Sequence, residues 1–261
     1  VWSGNTAAFS PSVLSFTKGT TAVGLFSSAS GTLAQLGADI AVGSAPGCVE
    51  LGETIINGIA NLVGFVVDAG LIEGWFFPEG GAWTQITDVD FPPNQTPALV
   101  PIGAPVFIDG FMGVMCTNGQ MFFSDVNSLA NWTLTNTISS QAYPDKGVGL
   151  ARQGDVLVAF NQGSIEFFQN AGLSPCPFVP VEGAAIKIGC VSGGTTRRTI
   201  ITVGGSIYFI GVDPESARRG VYRLNGRQYE KISNAAVDKT INGAFSTIPG
   251  FAGSFTMHGM T

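Results

Sequence analysis

An all-β fold, a β-propeller or part of one built from repeated four-stranded antiparallel blades, is what the 261-residue sequence predicts, and three observations predict it. Helical spacing at i, i+3, i+4, i+7 is nearly absent, and 36 Gly and 14 Pro punctuate the chain throughout. Short runs of β-branched and aromatic residues, bounded by Gly, Asn and Asp, occur everywhere else. Most informatively, one unit recurs: an apolar strand, a tight Gly-containing turn, then a strand carrying paired aromatics.

Taken in order, the first such unit is Leu62 to Val67, a turn at Asp68-Ala69-Gly70, and Leu71 to Phe77. The second is Gly113 to Cys116, Thr117-Asn118-Gly119, and Gln120 to Ser124 with Phe122 and Phe123. The third is Asp155 to Phe160, Asn161-Gln162-Gly163, and Ser164 to Gln169 with Phe167 and Phe168. The fourth is Thr199 to Val203, Gly204-Gly205, and Ser206 to Gly211 with Tyr208 and Phe209. The turn glycines Gly70, Gly119, Gly163 and Gly205, each expected at positive φ, return at roughly 40 to 50 residues, the length of one propeller blade. Trp83 to Ile86, Trp132 to Leu134, Phe178 to Val181, and Gly220 to Leu224 with Tyr229 to Ser233 follow as outer strands. A β-sandwich or jelly roll also yields hairpins, at about 8 to 12 residue spacing, but would not place an aromatic pair at nearly the same offset after the turn three times over. Blades stacked face to face need large side chains on both faces of their middle strands, and adjacent aromatics supply them.

Residues 55–241 are therefore expected to be propeller blades, and 1–54 to hold further blade strands and loops. Within the latter, Thr21 to Phe26 and Ala38 to Val42 read as strands and Ser27 to Ala34 as a polar loop. Ile232-Ser233-Asn234 resembles a cap followed by a short helix through Ile241. Residues 242–261 are expected to open a further blade, in a chain that continues beyond Thr261.

Composition narrows the function. Hydrophobic residues make up 45% of the chain and charged residues 11%, against about 25% in an average soluble domain, which favours a surface covered in part by neighbouring subunits. No run of about 18 apolar residues is uninterrupted, Ile59 to Phe77 included, which argues against a membrane helix. The net charge of -6 opposes tight capture of DNA phosphates yet suits a channel wall along which DNA slides. Cys48, Cys116, Cys176 and Cys190 form no CxxC or Cys/His pattern and read as small buried residues. With a single histidine, His258, the chain has almost no material for a His metal site or a Ser-His-Asp triad. Neither a cofactor nor a small-molecule substrate is expected.

Two stretches carry a resemblance. Gly154 to Asn170, which contains Asn161-Gln162-Gly163-Ser164-Ile165-Glu166-Phe167-Phe168, is followed by Pro177-Phe178. Gly220-Val221-Tyr222-Arg223-Leu224-Asn225-Gly226 is followed by Lys231-Ile232-Ser233 and Ala235-Ala236-Val237, with Ile188-Gly189-Cys190 and Ile207 to Gly211 upstream. In order and spacing these are similar to the packaged-DNA stabilisation, or tail-hub (nozzle), family of short-tailed bacteriophages, over about residues 110–245. The resemblance implies a non-enzymatic virion protein, assembled in the bacterial cytoplasm. It further implies a homo-hexameric ring at the distal end of the tail, in contact with adaptor, needle, spike or fibre proteins, conducting duplex DNA and retaining it until ejection. It marks Gly163, Ile165, Glu166, Phe167, Asn170, Phe178, Gly189, Gly220, Val221, Tyr222, Ile232 and Ser233 as structural residues of the family pattern.

Glu166 is the most tempting catalyst, since it interrupts an apolar strand. A glycosidase would need a second converging carboxylate, and Asp155 reads as a solvent-facing turn residue, so Glu166 is expected to bind backbone donors or an arginine. Arg197, Arg198, Arg218 and Arg219, with Arg223 and Arg227, form the densest basic cluster. Their forks suit carboxylates of a neighbouring subunit, which Glu50, Glu53, Asp68, Glu73, Glu79, Asp88 and Asp90 could supply. Trp75, Trp83 and Trp132 read as buried packing residues, and the loop from Pro92 to Pro105 as a contact arm to a neighbour. The alternatives are a carbohydrate-binding or glycoside-hydrolysing propeller, which lacks repeated acidic or aromatic residues, and an interaction propeller, which lacks the WD or kelch signatures.

Overall fold

In the computed structural model, which describes residues 2–4, 12–18, 22–29, 32–35, 37–41, 50–68, 71–140, 142–143, 145–192, 199–213 and 215–244, strands pair only with near neighbours in sequence and always antiparallel. The first sheet holds β1 (Trp2–Gly4), β2 (Ser12–Lys18), β3 (Ala22–Ala29) and β4 (Thr32–Gln35), with β5 (Ile40–Ala41) beside β3. The second holds β6 (Glu50–Ile56), β7 (Ile59–Asp68), β8 (Leu71–Pro78) and β9 (Thr84–Gln85). The third is β10 (Val106–Ile108), β11 (Phe111–Met115), β12 (Gln120–Ser124) and β13 (Trp132–Ser139). The fourth is β14 (Gly147–Gln153), β15 (Val156–Asn161), β16 (Ile165–Asn170) and β17 (Phe178–Pro180). The fifth is β18 (Gly189–Cys190) and β19 (Ile200–Val203), both on β20 (Ser206–Val212), then β21 (Arg219–Asn225) and β22 (Gln228–Lys231), followed by helix α1 (Ala235–Ala244).

Consecutive sheets from the second to the fifth meet through their first and second strands: β10 approaches β6, β14 approaches β10 and β11, and β18 and β19 approach β15 and β14. That is the arrangement of blades around an axis. The middle strands β11, β12 and β15 are buried on both faces, which is why Val156 to Phe160 reads as an unbroken apolar run rather than an alternation. The alternation survives in what each residue touches. Leu157 and Ala159 join Phe123, Met121, Phe168 and Phe178 in the seam between the third and fourth blades, while Val158 and Phe160 join Ile165, Phe167, Phe209 and Tyr222 in the seam between the fourth and fifth.

The paired aromatics work in the same way. Phe122 enters the seam with the second blade beside Val63, Phe65 and Trp132, whereas Phe123 enters the seam with the fourth and stacks on Phe178, ring centroids 4.3 Å apart. Phe167 and Phe168 likewise fill opposite seams. One strand thus glues two interfaces, each buried ring contributing about 1.5–3 kcal/mol.

The Gly repeat needs correction in phase. Gly119 and Gly163 lie between the second and third strands of their blades, but Gly204-Gly205 joins β19 to β20, the first and second positions of its blade. Its counterparts are Asn57-Gly58, Asp109-Gly110 and Gly154-Asp155, each a two-residue link between first and second strands. Both residues of Asn57-Gly58 (φ 51 and 79) and of Asp109-Gly110 (φ 52 and 83) are left-handed, the geometry that two-residue hairpins require. This link is the once-per-blade turn, whereas the twin aromatics follow the turn between second and third strands in the third and fourth blades. Gly70 lies outside the described residues, and Gly163 is not left-handed.

Further differences follow from local chemistry. Within Ser27 to Ala34, expected as a loop, Ser27–Ala29 ends β3 and Thr32–Ala34 belongs to β4, because the backbone ladder between Phe26 and Gln35 tolerates Ser and Thr. The Pro-rich loop folds back on its own chain. Phe91, Pro92, Ile102 and Pro105 are buried, and Phe91 packs at 4.9 Å on Trp132. Trp132 is buried as expected, but Trp75 and Trp83 are half-buried, the first donating to Glu73 Oε2 and the second lying against Phe77. The helix starts where its cap implies, Asn234 Oδ1 accepting the Val237 N–H at 3.0 Å, and runs three residues past Ile241. Of residues 242–261, expected to open a further blade, 242–244 belong instead to the last turn of the helix, and 245–261 are outside the described residues.

Candidate functional site

Two places gather the residues singled out in the sequence. The first is at one end of the fourth blade. Glu166 is buried, 4% exposed, at the start of β16, and its Oε2 accepts the backbone N–H of Ala142 in the connector from β13 to β14. Asp145, in that connector, reciprocates: its Oδ2 accepts the Gly163 N–H at 2.7 Å, and both of its oxygens accept the Ser164 hydroxyl. A Cβ on Gly163 would stand 3.0 Å from that carboxylate, so glycine here provides room for the carboxylate rather than a left-handed turn. Asn161, fully buried at the end of β15, donates through Nδ2 to Ser140 and Ser164, and its Oδ1 has no protein partner. The knot pins the incoming connector to the blade that it enters. Glu166 therefore binds a backbone donor, as expected, and Asp155 is exposed in the turn at the other end of the same blade. The two carboxylates do not converge.

Around the knot, Ile165 and Phe167 fill the seam with the fifth blade, and Phe178 fills the seam with the third. Asn170 is exposed but ties blades together, Nδ2 donating to Asp109 Oδ2 at 3.0 Å. Arg152 does the same through the Phe107 carbonyl, and Gln153 through that of Gly205. Gly189 is the tightest position: a Cβ would lie 2.0 Å from the Gln162 carbonyl oxygen, so this strand passes the fourth blade with backbone against backbone.

The second place is the outer part of the fifth blade. Tyr222 is buried and stacks on Phe209 at 5.6 Å. The Val221 N–H donates to Ser233 Oγ, and the Val221 carbonyl accepts the Ile232 N–H. Ile232 itself is exposed. Ser233 donates to Asp238 Oδ1, and Lys231 pairs with Asp238 Oδ2 at 2.5 Å. Lys231, then Ser233, hold the Asp238 carboxyl below the usual carboxylate range, and Asp238 in turn raises Lys231. Asp238 and Asn242 were not anticipated. Their signal was a polar pair at i, i+4 on a short helix.

The arginine cluster divides. Arg197 and Arg198 lie outside the described residues; of the residues nearby, Val191 donates its N–H to the Ile210 carbonyl and Thr199 accepts the Ile210 N–H through its carbonyl. Arg218 is exposed, Arg219 half-buried, and Arg223 pairs with Glu230 at 2.7 Å. Of the acids expected to face them, Asp88 and Asp90 accept the N–H groups of Trp132 and Leu134 on the third blade, and Glu73 accepts from Trp75, all within the chain. Glu79 is exposed. The side chains of Glu50, Glu53 and Asp68 are outside the described residues.

Burial pushes the Cys116 and Cys190 thiols up to about 12, which keeps both unreactive. Among the described residues no three His, Cys, Asp or Glu side chains stand together to hold a metal, and no helix is long and apolar enough to cross a membrane.

Sheets stacked face to face on buried aromatic seams, with polar side chains pinning the connectors between them, define a β-propeller. The phage stabilisation family model, described as Bacteriophage P22 Gp10, beta-propeller, matches residues 80–247, and the chain belongs to that family of phage structural stabilisation proteins. The match covers the third, fourth and fifth blades and α1, so both places described above fall within it. No curated protein matches the chain. Among solved structures, Hsv2 from Kluyvelomyces marxianus is similar at 11% identity and TM-score 0.41, over 85% of this chain and 69% of that one. A chain of the mitotic checkpoint complex is similar at 11% identity and TM-score 0.40, over 87% and 77%. BamB from Moraxella catarrhalis is similar at 12% identity and TM-score 0.36, over 87% and 68%.

Proposed function

We propose that this propeller is a structural component at the distal end of a short phage tail, where six copies form a ring that conducts duplex DNA and helps to retain it until ejection. The membership in the phage stabilisation family over residues 80–247 carries this reading. The chemistry accords with it. Carboxylates that interrupt apolar strands pin connectors, and the net charge of -6 gives DNA phosphates little to hold as they pass. Adaptor, needle, spike or fibre proteins would be its neighbours, and assembly would take place in the bacterial cytoplasm. Between copies, the exposed Arg218 with Arg219 would meet carboxylates such as Glu79, a narrower set than the sequence offered because Glu73, Asp88 and Asp90 already accept bonds within the chain. Light scattering tests this: the full-length protein should have the mass of a hexamer, and Arg218→Glu with Arg219→Glu should lower it. A wild-type monomer, or an oligomer mass unmoved by the double substitution, would contradict the ring and its arginine contacts respectively.

A further inference from the structure

Helix α1 has an unusual seat. Of residues 235–243, whose burial is described, only Asp238 and Ile241 are even half-buried, so this part of the helix contributes almost nothing to an apolar seam. What holds it is a set of side-chain bonds to one short stretch of strand edge. β22 pairs with β21 only from Tyr222 to Asn225, which leaves the edge groups at Arg219 and Val221 without a strand beside them. The Asn242 amide covers the first of these as a strand residue would, Oδ1 accepting the Arg219 N–H at 3.1 Å and Nδ2 donating to the Arg219 carbonyl at 3.0 Å. Ser233 Oγ takes the Val221 N–H at 2.9 Å and is itself held by Asp238, which Lys231 grips from the other side.

Gly220 supplies a second, independent observation. A Cβ there would meet Lys231 Cε at 2.7 Å, Ser233 Oγ at 2.9 Å and Asp238 Oδ1 at 3.1 Å. Its φ is not left-handed, so the glycine answers to the groups lying over it and not to its own backbone. Its hydrogen leaves the space that the latch fills.

We propose that α1 is a releasable strap, closed over the outer edge of the fifth blade by this polar latch, and that it opens without unfolding the blade. Opening breaks the bonds to Arg219 and Val221 and leaves Phe209, Tyr222 and Leu224 in their seam, since those side chains pack against the fourth blade and not against α1. The hinge is Ile232-Ser233-Asn234, the stretch of chain that joins β22 to the helix.

Hydrogen exchange on the full-length protein tests the strap. The amides of Arg219, Val221 and α1 should exchange at least tenfold faster than those of Phe209, Tyr222 and Leu224. Asn242→Ala and, separately, Gly220→Ala should speed the first group by a further tenfold while leaving the second unchanged, and Lys239→Ala, on the exposed side of the helix, should do neither. If both groups exchange at one common rate in the wild type, the strap opens only with the whole blade and the proposal fails. It fails equally if Asn242→Ala and Gly220→Ala leave the Arg219 and Val221 amides as slow as before.

Discussion

Replacing Phe122, Phe123 and Phe178 in pairs separates a propeller from any fold in which neighbouring residues share one core. Phe122 and Phe123 adjoin in sequence, yet the structure sends them into different seams, whereas Phe123 and Phe178 come from different blades and stack at 4.3 Å with planes 23° apart. All three are at most 4% exposed. Truncation of each to Ala would cost about 3–5 kcal/mol, too much to combine in a protein whose whole stability is about 5–15 kcal/mol. Phe→Leu is gentler, about 1–2 kcal/mol, between the ~0.8 kcal/mol of one buried methylene and full truncation. The pairwise term then discriminates. Phe123→Leu with Phe178→Leu should depart from additivity by about 0.5–1.5 kcal/mol, the worth of an aromatic pair, because either substitution alone already loses the stack. Phe122→Leu with Phe123→Leu should add to within about 0.3–0.5 kcal/mol. Urea unfolding of the four proteins in each cycle measures both terms. Strong coupling between 122 and 123 with none between 123 and 178 would refute the assignment of these rings to separate seams.

Two further outcomes are expected. Gly189→Ala should cost about 3 kcal/mol or more, the upper end of overpacking, and lower Tm by roughly 6–12 °C, because its Cβ would meet backbone that cannot turn aside. Gly243→Ala, on open helix surface, should be neutral or slightly stabilising, and a Tm loss at position 243 equal to that at 189 would show that crowding is not the cause. The latch on α1 should also have a pH window. Asp238 is lowered, so its contribution is present above the unfolded carboxyl value of 3.8 and is lost as pH falls through the lower folded value. Lys231 is raised, so its contribution is present below 10.5 and is lost as pH climbs through the higher folded value. Helix signals in NMR should be steady between those limits, and Asp238→Asn should abolish the acid limb. An acid limb that persists in the variant would assign it to another group.

The blades were legible because their physics is repetitive. Strands buried on both faces must be apolar throughout, and Leu62 to Phe65 and Leu157 to Phe160 were readable on that ground. The phase of the repeat was less legible, since Gly204-Gly205 and Gly163 look alike in a sequence and differ only in which strands they join. Small polar residues misled in the first sheet, where Ser27 and Thr32 sit in strands whose ladder needs nothing from their side chains. At the site, Glu166 was readable as structural from its lack of a carboxylate partner, but its donor, the Ala142 N–H, comes from a connector 24 residues away and leaves no local trace. The partners of Asp88 and Asp90 are hidden for the same reason: both accept backbone N–H groups 44 residues on, and composition gives no sign of that.

The account rests on blades that radiate from a common axis. A cryo-EM map of the purified full-length protein reads this directly. The radial arrangement puts β6, β10, β14 and β18 nearest the axis, with Phe122 and Phe123 projecting from opposite faces of one blade. Density in which the same strands form two facing layers, with both rings inside a single sandwich core, would contradict it.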